Sequence, residues 1–280
     1  MLAVVLATGA ALGWGTADFL GGLKSRSVAM LLVLLISQVS ALILLAVIVL
    51  SIGEEPPASG FVFYAAIAGL AETLGVAALY RGLAVGKMSI VAPVASIAPA
   101  VPLVVGLLLG EVPTPMQFAG LALAVVGVVL TSRQRRTSQN ADRSTSSSVL
   151  YGLLSALGFG IFFVGLDAAS EGDIPWALLI ARLTSVTAIA VAAILRRLRP
   201  AAPRSDLPAI VLIGALIVVA DFMYATATTV GLLGVVAVIG ALHTVVTVAL
   251  ARIVLHEQIE RLQRLGIVAC LGGVMILTAF

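Results

Sequence analysis

Residues 131–148 read TSRQRRTSQNADRSTSSS, and they separate two long hydrophobic regions of the chain. The stretch carries Arg133, Arg135, Arg136 and Arg143 but no large apolar side chain. A segment of this composition cannot bury enough apolar surface to order itself. We therefore expect a flexible, solvated linker between two apolar units.

The two apolar units repeat each other at a nearly constant offset. Gly13-Trp14-Gly15 matches Gly158-Phe159-Gly160 at an offset of 145, as Gly69 matches Gly214. The ends of the units match at an offset of 146, pairing Glu111, Gln117, Gly120 and Gly127 with Glu257, Gln263, Gly266 and Gly273. These matches predict an internal duplication, with units at residues 1–131 and 149–280 and the linker at 132–148.

The composition is that of an integral membrane protein. Hydrophobic residues make up 61% and charged residues 10% of the chain, whereas soluble domains carry about 25% charged residues. The net charge of +3 is then expected to mark cytoplasmic loops rather than a nucleic-acid partner. Cys270 is the lone cysteine, and no Cys and His cluster offers a metal site, so neither a metal nor a cofactor is expected.

The apolar runs predict ten transmembrane helices, five in each unit, because about 20 apolar residues cross a bilayer as a helix. The predicted spans are 2–22, 29–50, 61–80, 88–109, 115–131, 149–168, 175–195, 208–229, 233–253 and 263–280. All but one of the 16 Lys and Arg residues follow odd-numbered helices, the exception being Arg182. Basic loops stay in the cytoplasm, so both termini are expected outside and the linker inside. Five helices are an odd number, so the units form inverted repeats, as in many secondary transporters.

The sequence also resembles a known family over essentially its whole length. The similarity lies in LGWGTADFLGG at residues 12–22 and in two unit endings, LGEVPTPMQFAGLALAVVGVVL and LHEQIERLQRLGIVACLGGVMIL. These stretches are similar to EamA-type transporters of the drug/metabolite transporter superfamily. The resemblance implies export of amino acids, other small metabolites or drugs through a central cavity by alternating access. It does not name a cargo.

Four ionisable residues fall inside predicted helices, where each charge costs about 2.5 to 3.5 kcal/mol on insertion scales. Glu72 lies nearest the predicted mid-membrane level, and it is our first candidate for proton coupling or cation binding; the alternative is a protonated packing residue. Arg182 and Asp221 are expected in the outer half, either as a structural ion pair or with Arg182 binding a substrate carboxylate. Asp18 lies near the cytoplasmic end, where it reaches the interface or pairs with Lys24.

Several polar and aromatic side chains are candidates for lining a cavity, or alternatively for hydrogen bonds between helices. They are Trp14, Tyr80, Tyr224, Gln38 and His243. His243 is expected in the middle of a helix, with either a satisfied neutral ring or a role in proton relay.

Pro93, Pro99 and Pro102 predict a kinked helix 4 that forms a cavity wall and moves. The equivalent positions of helix 9 have no proline, which predicts that the two units are not equivalent, although Gly234 and Gly240 offer some flexibility there.

The repeated acidic and glycine positions have structural interpretations. Glu111 and Glu257 precede the last helix of each unit and are interpreted as caps that complement the helix dipole. Gly120, Gly127, Gly266 and Gly273 favour either close helix packing or a homodimer interface.

Three classes of function compete at this level. An intramembrane enzyme is disfavoured because two histidines, one cysteine and no HExxH or GxSxG motif leave little catalytic material. No Walker A motif is present, so ATP is not the direct energy source. A non-transporting receptor or assembly protein is the alternative to a transporter. The ionisable residues leave two cargo classes open, cationic or zwitterionic molecules and neutral hydrophobic or aromatic ones.

Overall fold

A computed structural model describes residues 1–24, 27–53, 55–56, 59–85, 94–95, 97–110, 112–132, 143–197, 203–255 and 261–279. All regular secondary structure in these ranges is α-helical. In chain order the helices are α1 (Leu2–Lys24), α2 (Met30–Ile52), α3 (Ser59–Val85), α4 (Ala100–Leu108), α5 (Pro115–Ser132), α6 (Arg143–Ser170), α7 (Ile174–Leu195), α8 (Leu207–Val230), α9 (Leu233–Gly240), α10 (His243–Leu255) and α11 (Arg261–Ala279).

Six of the described helices are long and apolar enough to cross a membrane: α1, α2, α3, α7, α8 and the Val149–Ser170 part of α6. A helix satisfies its backbone polar groups internally, as a segment in hydrocarbon must. The all-α, multi-pass membrane architecture is therefore confirmed. The count of ten spanning helices stays a prediction, because α5, α9, α10 and α11 contribute only shorter apolar stretches among the described residues.

The predicted linker is shorter than expected at its C-terminal side. Helix α6 begins at Arg143, so residues 143–148 are helical, and the prediction of an irregular segment is wrong there. The sequence RSTSSS has neither proline nor glycine to end a helix, so the apolar helix extends into it. Residues 133–142 lie outside the described residues.

A break divides the helix that was expected over 233–253. Helix α9 ends at Gly240 and α10 begins at His243, with a turn at Ala241 and Leu242 between them. The backbone N–H of Leu242 donates to Ile239 O, three residues earlier, at 3.0 Å. An α-helix would bond four residues back. His243 is thus the first residue of a helix, and its expected mid-helix position is wrong.

Helix α4 also follows a turn, which covers residues 97–99, and Pro99 is its N-cap. Pro102 lies in its first turn, where a missing N–H costs little. Among the described residues, a turn thus precedes α4 as one precedes α10, and the inequivalence of the two units stays a prediction. Gly240 is the last residue before the second turn. It packs closely on two aromatic rings, because an added Cβ there would lie 3.3 Å from the Trp14 and Tyr224 rings.

Glycines that match between the units make matching contacts. A Cβ at Gly15 would lie 2.5 Å from Val246 Cβ, and one at Gly160 would lie 2.5 Å from Val101 Cβ. Val101 and Val246 are 145 positions apart, the same separation as Gly15 and Gly160. Helices α1 and α8 pack along their lengths, as do α3 and α6.

Helix α11 packs on α5 through the glycine positions noted in the sequence. A Cβ at Gly273 would lie 2.7 Å from Gly120 O, so these glycines let two helices of one chain approach each other. The N-terminus of α5 is capped by Thr114 and Gln117, whose side chains each accept from the other's backbone N–H, at 3.2 and 2.8 Å. Glu111 and Glu257, the expected caps, lie outside the described residues.

Candidate functional site

A buried cluster of charged and polar side chains surrounds Arg182 on α7. Its guanidinium Nη1 donates to Gln38 Oε1 on α2 and faces both carboxylate oxygens of Glu72 on α3, at 3.3 and 3.4 Å. Nη2 donates to Asp221 Oδ2 on α8. One guanidinium group thus links α7 to α2, α3 and α8, and the Arg182 side chain is only 3% exposed. We call Arg182, Gln38, Glu72 and Asp221 the Arg182 cluster.

The Asp221 carboxylate is held at both oxygens. Besides the ion pair with Arg182, its Oδ1 accepts a 2.8 Å hydrogen bond from the indole Nε1 of Trp14 on α1. The Asp221 side chain is 2% exposed. Charge-assisted hydrogen bonds of this kind are about twice as strong as neutral ones, so both oxygens of the Asp221 carboxylate have strong partners.

The Glu72 carboxylate is held more loosely. Its bonds to Arg182 are long, and its side chain is 16% exposed. Ser185 Oγ lies 3.2 Å from Glu72 Oε2, but its one hydrogen is closer to Gly69 O, at 2.9 Å. Glu72 is therefore the acidic group of the cluster that can change partners at the lowest cost.

Two carboxylates share one guanidinium in this cluster, so the ionised groups sum to a net charge of −1. Burying an uncompensated charge away from water costs several kcal/mol. A single proton or a monovalent cation would neutralise the cluster. The arrangement therefore combines a close ion pair, Arg182 with Asp221, and a second carboxylate, Glu72, with longer contacts to the same guanidinium.

Aromatic rings pack beside the cluster. The centroid of the Trp14 ring lies 5.2 Å from that of Tyr224 and 6.0 Å from that of Phe163. The centroids of the Phe163 and Tyr224 rings are 5.1 Å apart. The Tyr224 hydroxyl is buried and has no hydrogen-bond partner among the described residues. The rings form a wall next to Asp221.

The sequence suggested Lys24 as a partner of Asp18, but the two residues do not pair. Asp18 Oδ2 lies 2.9 Å from His243 Nδ1, whereas Lys24 Nζ pairs with Asp206 Oδ1 at 2.7 Å. The reason is that α1 packs along α8 and α10. These helices bring residues that are far apart in sequence next to α1.

Of the candidate residues from the sequence, some lie at or next to Arg182, some lie elsewhere, and some are outside the described residues. Gln38, Glu72, Asp221 and Trp14 all meet at or next to Arg182, although Glu72 had been expected at a different membrane depth from Arg182 and Asp221. Pro99 and Pro102 lie at the start of α4, and neither belongs to the Arg182 cluster. The side chain of Tyr80 and the whole of Pro93 lie outside the described residues.

Sequence reasoning missed Ser185 and Asp206. Ser185 follows Arg182 by three residues on α7, so helical spacing placed it on the same face, and this signal was available. Asp206 has no such signal, because its partner Lys24 is 182 positions away. Asp206 is the N-cap residue of α8, just before that helix begins.

The fold, the buried charges and the spanning helices together define a multi-pass membrane protein with a polar centre between its helices. The sequence model of the EamA-like transporter family matches the chain twice, over residues 1–133 and 146–279. The chain belongs to the EamA-like transporter family.

One crystal structure of another protein, whose description gives no function, has a similar fold. Its TM-score is 0.81 at 17% sequence identity, and the match covers 99% of this chain and 96% of the other. At this identity the likeness concerns the fold alone. No curated protein sequence matches the chain.

Proposed function

We propose that this protein is a secondary-active transporter that exports small metabolites, amino acids or drugs across the plasma (inner) membrane by alternating access. The observation that carries the proposal is the Arg182 cluster. It draws Gln38 and Glu72 from the first unit and Arg182 and Asp221 from the second to one buried point. A site between repeats is where secondary transporters bind their substrates.

The architecture behind this proposal is ten transmembrane helices in two inverted five-helix repeats, residues 1–131 and 149–280. Two separate family matches support the division. So do the equivalent contacts of Gly15 and Gly160 and the turns directly before α4 and α10. The basic loops support an orientation with both termini outside and the linker in the cytoplasm. All helices of the cluster belong to one chain, so a homodimer is not required for this function.

Glu72 is the proposed exchange group for a coupling proton. Asp221 keeps two strong partners, Arg182 and Trp14, whereas Glu72 has only long contacts and is the more exposed carboxylate. Protonation of Glu72 removes the net negative charge of the cluster, and with it the cost of burying an uncompensated charge. Proton binding on one side of the membrane and release on the other then couples transport to a pH gradient.

Transport by purified protein in proteoliposomes tests the proposal. Wild type, Glu72→Gln and the control Glu171→Gln are screened with amino acids, polyamines and cationic dyes, with and without an imposed pH gradient. Glu171 is exposed and follows α6, so its substitution changes the same group outside the cluster. We expect the gradient to drive accumulation of at least one compound in wild type and in the control, and Glu72→Gln to abolish the coupling.

Two results would count against the proposal in different ways. Coupled transport by Glu72→Gln at the wild-type rate would show that Glu72 only packs, and coupling would then have to lie elsewhere. No transport of any compound by folded wild type would favour the receptor or assembly alternative.

A further inference from the structure

A second ionisable pair lies between α1 and α10, apart from the Arg182 cluster. Asp18 Oδ2 and His243 Nδ1 are 2.9 Å apart, and their side chains are 50% and 30% exposed. The side chains of the Arg182–Asp221 pair, by contrast, are almost completely buried. The Asp18–His243 pair can therefore be reached from outside the packed interior.

Asp18 lies on the face of α1 that contacts α10. It lies one helical turn after Trp14, so the two side chains share a face of α1. On that face Trp14 bonds to Asp221, and Ala11 is buried against Leu242 and Val245. An ionised carboxylate facing hydrocarbon would cost about 2.5 to 3.5 kcal/mol, and this position avoids that cost.

The backbone on both sides of the pair is held in place. A Cβ at Gly15 would lie 2.6 Å from His243 O, so α1 and α10 touch directly. Thr247 Oγ1 lies 3.0 Å from Gly15 O, across the same contact. The Trp14 and His243 rings meet edge to face, with centroids 6.3 Å apart and planes at 83°. The position of the two ionisable groups is thus set by packing.

The other charged groups near the pair have partners or lie at a distance along the chain. Lys24 is held by Asp206, and Asp221 is held by Arg182 and Trp14. Helices α2, α5 and α9, which pack on α1 or α10, contain no charged residue. Four other titratable groups remain on the neighbouring helices. The side chain of Arg252 on α10 is outside the described residues. Arg261 and Arg264 lie at exposed positions of α11, and Tyr224 is on α8. Within this described surrounding, His243 is the basic side chain at hydrogen-bond distance from Asp18.

We propose that Asp18 and His243 form a docking site for the ammonium group of a cationic cargo. The inference rests on the transporter function proposed above and names its cargo class. With His243 neutral, the Asp18 carboxylate carries a full negative charge that attracts an ammonium group, and the Trp14 ring beside it provides a π surface. A proton on His243 cancels that charge and repels the ammonium. A proton on His243 and a cation on Asp18 therefore exclude each other.

Binding to the full-length protein in detergent tests this site directly. Trp176→Phe leaves Trp14 as the sole tryptophan, because the chain has two. Its fluorescence is followed while benzylammonium is added at about pH 8, where histidine is neutral. Benzyl alcohol is the uncharged control. We expect saturable binding of benzylammonium only, weakened roughly tenfold or more by Asp18→Asn through loss of the charged partner.

The pH dependence separates the two members of the pair. Lowering the pH to about 5.5 charges histidine, so benzylammonium affinity should fall several-fold in the Trp176→Phe protein. His243→Gln should keep the affinity at high pH and lose most of this decrease. Affinity that falls equally with pH in both proteins would overturn the role of His243.

Four further results bear on the site itself. Unchanged affinity in folded Asp18→Asn, or equal binding of benzyl alcohol, would overturn the proposal. A tenfold loss in Glu72→Gln would also overturn it, because the ammonium would then be bound at the Arg182 cluster. Asp18→Glu should restore binding that Asp18→Asn has lost. These binding results do not depend on proton-coupled transport, so failure of the transport function would be seen separately in proteoliposomes.

Discussion

The indole Nε1 of Trp14 donates a 2.8 Å hydrogen bond to Asp221 Oδ1, and this bond joins α1 to α8 inside the helix bundle. Through Asp221 the bond continues to Arg182 and from there to Glu72. Trp14 also touches His243 through ring contact. Trp14 thus lies between the Arg182 cluster and the Asp18–His243 pair.

Trp14→Phe should destabilise the protein by about 1 to 3 kcal/mol, because it keeps an aromatic ring but leaves a buried carboxylate oxygen without its donor. Thermal unfolding in detergent, followed by circular dichroism, measures the change. In an Asp221→Asn background the same substitution should cost less, since the charged acceptor is already gone. Equal losses in both backgrounds would show that packing, and not the hydrogen bond, explains the effect.

Asp221→Asn alone should cost about 3 to 5 kcal/mol, because it breaks a buried ion pair and leaves Arg182 with only its long contacts to Glu72 and its bond to Gln38. The double substitution Arg182→Met with Asp221→Leu should recover only part of that stability, since apolar side chains replace both charges but leave Trp14 and Gln38 without their partners. Transport should remain absent in the double variant. Active transport with both charges removed would disprove a role for the pair in function.

Part of this structure was predictable because it depends on local patterns. Apolar length predicted α1, α2, α3, α7 and α8 within a few residues. The rarity of charges in hydrocarbon also selected Glu72, Arg182 and Asp221, which prove to lie together. Such signals survive in sequence because a bilayer tolerates few alternatives.

Other features depend on contacts between distant parts of the chain. The Asp18–His243 pair spans 225 positions, and no local pattern distinguishes His243 from a neighbouring residue as the partner. The helix break at Ala241 contains no proline, and it coincides with close packing of Gly240 on the rings of Trp14 and Tyr224. Tertiary packing overrides helix propensity there.

Gly158→Ala should destabilise the protein by about 1 to 3 kcal/mol through overpacking. An added Cβ would lie 2.6 Å from Gly75 Cα and 2.8 Å from Ala71 O, and backbone atoms cannot move aside as a side chain can. The matched control is Gly21→Ala in α1, where an added Cβ meets nothing within 4 Å. The control should be neutral or gain up to about 1 kcal/mol from helix propensity. Thermal unfolding of both variants gives the comparison, and equal stability would contradict the close α3–α6 contact.

The proposed orientation predicts which loops are accessible from each side of the membrane. In a Cys270→Ser background, a cysteine at position 205 precedes α8 and should lie in the cytoplasm, because Arg196, Arg197 and Arg204 share that connection. A cysteine at position 55, between α2 and α3, should lie outside. Both positions are exposed, so labelling depends on the side and not on burial. A membrane-impermeant maleimide added to intact cells should label Glu55→Cys and should label Ser205→Cys only after the cells are opened. The reverse pattern would invert the whole topology, and labelling of both positions from outside would refute an odd number of spans between them.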